Sequence, residues 1–184
     1  MELSILIPTM PKREKSLAEL LFHLNWQISP SYKNNVEIIT DKEDYFNIGE
    51  KRNSMLHHAK GDFVVFIDDD DDVSSNYIAS FIDVIKKNPN LDCIGYRGVI
   101  TFDGSNKSGW SISKKHKFWH EKDGFYYRTP NHISPVRTEI AKKCGFPSAI
   151  NGEDYEYSMR ILPHLKTEVF IDKELYHYKY VSKK

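Results

Sequence analysis

Residues 61–73 read GDFVVFIDDDDDV. From Phe63 to Ile67 every position is apolar, with no alternation, and a strand of that kind must be covered on both faces. A chain that contains it is bound to place layers on each side of a sheet. Asp68 to Asp72 follow without a break. One or two aspartates would suit the dipole of a helix starting near Ser74. Five within a few ångströms repel one another, and the expectation is that a cation offsets them.

The same uniform apolar profile recurs in LSILIP, ended by Pro8, in NVEIITD, closing on Asp41, and in LDCIGYRGVI. Between these runs apolar residues fall at helical spacing: Leu17, Leu20, Leu21 and Leu24; Ile48, Met55, Leu56 and Ala59; Tyr77, Ile78, Phe81, Ile82 and Ile85. Ser74 or Ser75 is the expected N-cap of the third helix. The order β-α-β-α-β-α-β in the first hundred residues predicts an α/β fold, a mostly parallel sheet with helices on both faces. Ligands of such sheets bind beyond the carboxyl ends of the strands, where Pro8, Thr9, Asp41 and the aspartate run all fall. Residues 103–130, rich in Gly, Ser, Lys and aromatics, read as one or two β-hairpins or a flap. HISPVRTEIAKKCG reads as a strand entering a helix, EDYEYSMRILPHL as a helix interrupted at Pro163, and TEVFIDKELYHYKY as a closing pair of strands.

A length of 184 residues suits one domain, 1–184, with residues 1–100 and 101–184 as its two halves. Zero formal net charge gives no global field toward nucleic acid or membrane, although SKKHKFWHEK and HYKYVSKK are locally basic. Cys93 and Cys144 form no metal-binding pattern and suit a reducing compartment. The N-terminus lacks the basic and small-residue regions of a signal peptide, and no apolar stretch is long enough to span a bilayer. The expected location is the cytoplasm, free or peripheral to a membrane.

Hard carboxylate ligands point to Mg²⁺ or Mn²⁺. An EF-hand starting at Asp68 fails, with Val73 where glycine is required and Ala79 where glutamate is required. An aspartate-dependent phosphatase expects Thr or Val where Asp72 stands. A third possibility is a sugar-nucleotide site, in which one or two carboxylates hold a metal on the diphosphate and a neighbour accepts from ribose. A D-x-D triplet alone is a weak signal for it.

The flanking text sharpens that signal. LSILIPTMPKR, VEIITDKED, GEKRNSMLHHAKGDFVVFIDDDDD and INGEDYEYSMRI stand in the order in which similar segments occur in GT-A fold glycosyltransferases of family 2. The chain resembles that family from residue 3 to about residue 162. The resemblance implies a Rossmann-like, mostly parallel central sheet with a small antiparallel acceptor-side region. It also implies an inverting, Mn²⁺- or Mg²⁺-dependent transfer from a nucleotide-diphospho-sugar, a UDP-sugar first among them, to an acceptor hydroxyl. Glycan, lipid-linked, protein and modified nucleic-acid acceptors all stay open.

Carried onto this sequence, the resemblance gives Asp70 as metal ligand with Asp68, and Asp68 or Asp69 on ribose or a metal-bound water. Pro8, Thr9 and Asp41 would line the base, Lys51 and Arg52 the base and diphosphate, and Asp154 would be the general base with Glu153 supporting it. His177 is a candidate further ligand. Arg13 stands in PTMPKR, where the family more often has tyrosine and asparagine before the arginine. His132 is a candidate for phosphate, metal or acceptor, and Trp110, Phe118 and Trp119 for an aromatic wall of the acceptor cleft. The alternative enzymes on a similar α/β sheet are a nucleotidyltransferase, though IPTMPKREKS lacks the glycines of a triphosphate loop, and an aspartate-dependent phosphatase. A non-catalytic nucleotide-sugar binding domain is the alternative outside enzymes.

Overall fold

A computed structural model describes residues 1–28, 30–43, 45, 47–149 and 151–182. Position 150, inside the INGEDYEYSMRI stretch, and the last two lysines of the basic tail lie outside the described residues. The first half runs β1 (Leu3–Pro8), α1 (Glu14–Gln27), β2 (Val36–Asp41), α2 (Ile48–His58), β3 (Phe63–Phe66), β4 (Asp72–Val73), α3 (Tyr77–Lys87) and β5 (Cys93–Phe102). The second half runs β6 (Ser105–Ile112), β7 (His120–Lys122), β8 (Phe125–Arg128), β9 (Val136–Arg137), α4 (Thr138–Cys144), α5 (Glu153–Ile161) and β10 (Glu168–Tyr180).

The core of the sheet is β2-β1-β3-β9-β5, with β10 parallel to β5 on its other edge. β1 pairs parallel with β2 and β3, while β9 is an antiparallel insert between β3 and β5. Uniform apolarity in β1 and β3 is explained by two cores, one on each face. Leu3, Ile5, Ile7, Phe63, Val65 and Ile67 pack toward α1 and α3. Leu6, Val64 and Phe66 pack toward α2, α4 and α5, with Met55, Leu56, Ala141 and Tyr157. β1 and β3 come together closely at Gly61, where a Cβ would stand 2.6 Å from the Ser4 nitrogen.

Residues 103–130 form two hairpins. Asp103-Gly104 and Asp123-Gly124 are two-residue turns with positive φ at both positions, the geometry that matches strand twist. β6 pairs parallel with β8, so this layer hangs from β5. Gly98 on β5 makes room for Trp110, whose ring lies 2.1 Å from where a Cβ would be. The Trp110 indole donates to the Val99 carbonyl at 3.0 Å.

Two local expectations are corrected. The closing segment is one long strand, β10, whose register shifts around Glu174 keep it on β5. α3 begins at Tyr77 after Asn76, with no side-chain cap from Ser74 or Ser75. Ser74 instead hydrogen-bonds Asn76 through its hydroxyl, and its carbonyl accepts from Gln27. α5 ends at Ile161 and tightens into a single turn through Pro163, as that proline predicts. Among the described residues no helix is long and apolar enough to cross a membrane.

Candidate active site

The five aspartates do not stack their charges. A turn from Asp68 to Asp71, closed by the Asp71 amide on the Asp68 carbonyl at 3.1 Å, sends them in different directions. Asp68 accepts from Arg52 Nη2 at 3.1 Å and lies 3.5 Å from His132 Nε2. Asp69, 2% exposed, is fully engaged, accepting from Thr9 Oγ1 at 2.5 Å and from Arg13 Nη1 at 2.6 Å. Asp70 is paired with Arg13 at 3.0 Å but remains 48% exposed. Asp71 is buried and accepts from the Tyr176 hydroxyl at 2.7 Å and the Lys179 amide at 2.8 Å. Asp72 pairs with Lys179 Nζ at 2.7 Å. Each of the five thus has a protein partner that offsets part of the mutual repulsion. Asp71 and Asp72 are held by β10 rather than placed to cap α3.

Electrostatics still distinguish them. Burial raises the Asp68 carboxyl, but His132 and Arg52 outweigh it and hold Asp68 well below the ordinary carboxylate range. Burial pushes Asp71 up to about 8, with the charge of Asp68 adding to it. Burial also raises Asp70, helped by Asp68 and Asp69 and opposed by Arg13. Asp70 is thus the carboxylate of the turn that combines access to solvent with a local excess of negative charge.

Two cavities meet at this turn. A cleft of about 640 Å³ is lined by Pro8, Thr9, Arg13, Lys51, Arg52 and Asp68–Asp70, and also by Tyr45, Asn47, Tyr178 and Tyr180. A smaller pocket of about 280 Å³ holds Asp154, His132, Trp119, Arg128 and Trp110, with Tyr126 on its wall. Asp68 and Tyr178 line both.

The buried cations are the scaffold. Lys51 Nζ reaches back from α2 to the Thr9 carbonyl at 2.5 Å and the Asp41 carbonyl at 3.3 Å, tying the ends of β1 and β2. Arg52 lies between the rings of Phe66 and Phe146, 5.7 and 5.5 Å from their centroids. It bridges Glu153 at 2.6 Å to Asp68. Glu153 therefore faces inward and lines neither cavity, whereas Asp154 projects into the small pocket with one oxygen accepting the Tyr155 amide at 2.7 Å. Adjacent residues at the start of a helix point about 100° apart, so one carboxylate is structural and the next is presented to the pocket.

Other expected residues fall outside the cavities. Asp41 accepts the Glu43 amide at 2.8 Å, and Glu43 lines the cleft in its place. His177 lines neither cavity. Its Nε2 lies 2.9 Å from Thr101 Oγ1, and the strand alternation that turns it away brings Tyr178 to the junction. The imidazole beside Asp68 is that of His132, and among the described residues neither of its buried ring nitrogens has a hydrogen-bond partner. Phe118 is exposed and lines neither cavity, while Trp119 and Trp110 line the small pocket. Tyr45, Tyr178 and Tyr180 were not singled out in the sequence. Alternation of tyrosines in LYHYKY was the available signal for the last two.

The turn at the carboxyl ends of β1 and β3, with a cleft on one side and a carboxylate-bearing pocket on the other, lies where α/β sheets bind their ligands. Residues 25–146 match the model of the family described as glycosyl transferase family 2, and the chain belongs to that family. Among solved structures it is similar to residues 1–349 of TarS from S. aureus, with 20% identity and a TM-score of 0.69 over 97% of this chain and 60% of that one. The same TarS fragment crystallised with UDP-GlcNAc matches at 18% identity and a TM-score of 0.69, covering 100% of this chain and 60% of TarS 1–349. The fragment with UDP gives 20% identity and the same TM-score over 97% and 60%. These likenesses establish a GT-A-like mixed α/β fold, and the chain spans about 60% of the TarS fragment's length. No curated protein matches the chain.

Proposed function

We propose that the protein is an inverting glycosyltransferase that moves a sugar from a UDP-sugar in the large cleft to an acceptor hydroxyl in the small pocket. The observation that carries this reading is the position of Asp68 and Tyr178 on the wall shared by both cavities, with Asp154 free on the acceptor side. A single in-line displacement needs the leaving diphosphate and the attacking hydroxyl on opposite sides of the anomeric carbon, and two adjoining cavities provide that arrangement. Crystals of TarS with UDP and with UDP-GlcNAc support a uridine donor.

Asp154 accepts the proton of the acceptor hydroxyl as that oxygen attacks. It stands in the first turn of α5 and lines the small pocket. Arg13 faces the cleft beside Asp69 and Asp70 and is placed to meet the diphosphate. Arg52, on the wall of the cleft, and Glu153, which lines neither cavity, keep Asp68 in place. Tyr45 and Tyr180 offer ring faces on the nucleotide side.

Asp70 and Asp68 fit Mn²⁺ or Mg²⁺ bound together with the diphosphate. Among the described residues no three ligating side chains converge into a cage, which suits a cation held by one or two carboxylates and completed by phosphate oxygens. Bound there, the cation would neutralise charge on the leaving nucleoside diphosphate. Release of UDP from UDP-sugars, measured with and without Mn²⁺ and again with Asp154→Asn, tests the proposal. Retained nucleotide binding with no donor cleavage or transfer from any common sugar nucleotide would identify a binding domain instead.

A further inference from the structure

The small pocket contains a cation to which the transfer chemistry gives no task. Arg128, at the end of β8, lays its guanidinium over Trp119, with Cζ 4.7 Å from the ring centroid, and over Tyr126 at 5.3 Å. The platform is fixed, because Trp119 Nε1 donates to Thr129 Oγ1 at 2.8 Å and the ring meets Tyr155 edge-on. Among the described residues the guanidinium makes no hydrogen bond or ion pair. Burial lowers its pKa from the ordinary value, and the charge of Asp154 is the foremost influence opposing that shift.

A partly buried guanidinium stacked on two rings loses hydration and leaves its edge of N–H donors unused. The other acids of the pocket do not satisfy it: Asp68 is taken by Arg52, and Asp71 by Tyr176 and Lys179. His132, only 8% exposed, adds on the same wall an Nδ1 that has no hydrogen-bond partner among the described residues, its Nε2 lying 3.5 Å from Asp68. A fork of free donors over an aromatic shelf suits a planar or tetrahedral oxyanion on a sugar-sized ligand.

We infer that the pocket selects an anionic acceptor, with Arg128 receiving a phosphate or carboxylate group and so placing the neighbouring hydroxyl beside Asp154. The inference rests on the reading of this pocket as the acceptor side. It makes Arg128 a specificity-determining residue, and it predicts that neutral sugars are poor acceptors whichever donor is used.

The test is calorimetric titration of the full chain, saturated with UDP and Mn²⁺ so that phosphate cannot enter the large cleft. The probes are sn-glycerol 3-phosphate, glucuronate and methyl glucoside. One of the two anions is expected to bind at least tenfold more tightly than methyl glucoside, and the preferred arm identifies phosphate or carboxylate. Arg128→Gln should remove that preference, Arg128→Lys should restore part of it, and Arg97→Gln on the outer face of β5 should leave it intact. Equal binding of the three probes, or a preference that survives Arg128→Gln, overturns the inference. In the latter case Arg128 serves only as a counter-charge to Asp154. UDP release by the unmodified protein without acceptor separates the two readings. If it occurs, only the anion inference is at stake; if UDP release is absent with every common donor, both without acceptor and with each of the three probes, the transferase reading itself falls.

Discussion

Glu153 and Asp154 are neighbours in sequence, and the proposed mechanism gives them opposite kinds of work, so exchanging each for its amide gives a paired experiment. Glu153→Gln keeps shape and one acceptor but removes the charge that faces Arg52 at 2.6 Å, in a pair whose side chains are 5% and 11% exposed. Removing a partner from a buried ion pair costs about 3–5 kcal/mol when the remaining charge is stranded. Arg52 is not stranded, because Asp68 stays at 3.1 Å and the Gln oxygen can still accept. The expected loss is nearer that of one charge-assisted hydrogen bond, about 2 kcal/mol. At about 2–4 °C per kcal/mol for a chain of this size, the melting temperature should fall by about 4–8 °C. Asp154→Asn leaves every packed contact in place and should change stability by less than about 0.5 kcal/mol. Transfer should respond the other way. Asp154→Asn should lower kcat by about 10²- to 10⁴-fold, while Glu153→Gln should raise KM for the donor several-fold and keep the pH profile of kcat. Thermal denaturation and initial-rate kinetics on both variants read these quantities. A Glu153→Gln protein of unchanged stability and lost kcat, or an Asp154→Asn protein with normal kcat, would refute the division of labour.

Asp70→Asn should abolish the Mn²⁺-dependent part of UDP binding while melting as the unmodified protein does; titration of UDP with and without Mn²⁺ checks this, and unchanged affinity would move the cation elsewhere. Gly98→Val should destabilise by about 1–3 kcal/mol, because a Cβ would stand 2.1 Å from the Trp110 ring and the indole cannot shift without leaving the Val99 carbonyl. Chemical denaturation is the measurement, and a neutral result would mean that the pocket floor yields freely. Asp92 accepts from the amides of Lys166 and Thr167 at 2.8 and 2.9 Å. Burial raises its carboxyl, but these donors prevail and hold it below its ordinary value. A depressed carboxylate contributes stability above its unfolded pKa and loses it as pH falls through the folded one. Asp92→Asn should therefore cost about 1 kcal/mol at pH 7, with the gap closing below the ordinary carboxylate range; a gap that persists at pH 2 would contradict this.

The sheet core was legible because it depends on local pattern. Uniform apolar runs in β1 and β3 specify burial on both faces, and Leu17, Leu20 and Leu24 or Phe81, Ile82 and Ile85 specify the covering faces of helices. The position of the site was legible for the same reason, since Thr9 and the aspartates had to emerge at carboxyl ends of neighbouring strands. The destination of each aspartate was not. Arg13, Arg52, Tyr176 and Lys179 lie from 16 to 108 residues away from the carboxylates that they hold, and no spacing rule encodes such pairs. His177 and Tyr178 show how fine the missing information is. One position along a strand exchanges the faces, and the tyrosine rather than the histidine reaches the junction of the cavities. The Asp-Gly pairs at 103–104 and 123–124 were a readable hairpin signal that composition alone had blurred.

The two contacts that hold Asp71 both come from β10, which follows all the other described elements in chain order. On a ribosome, every wall of the large cleft contributed by residues before Glu168 emerges while Asp71 has neither its phenol nor its amide donor. Its burial must await a parallel pairing with β5 across about 75 residues, the kind of long-range closure that forms slowly. The nascent chain thus passes through a stage with a sheet edge open at β5 and a loose acidic turn. The acidic turn between the two cavities is therefore completed by β10, whose arrival closes both the sheet edge and the shell around Asp71.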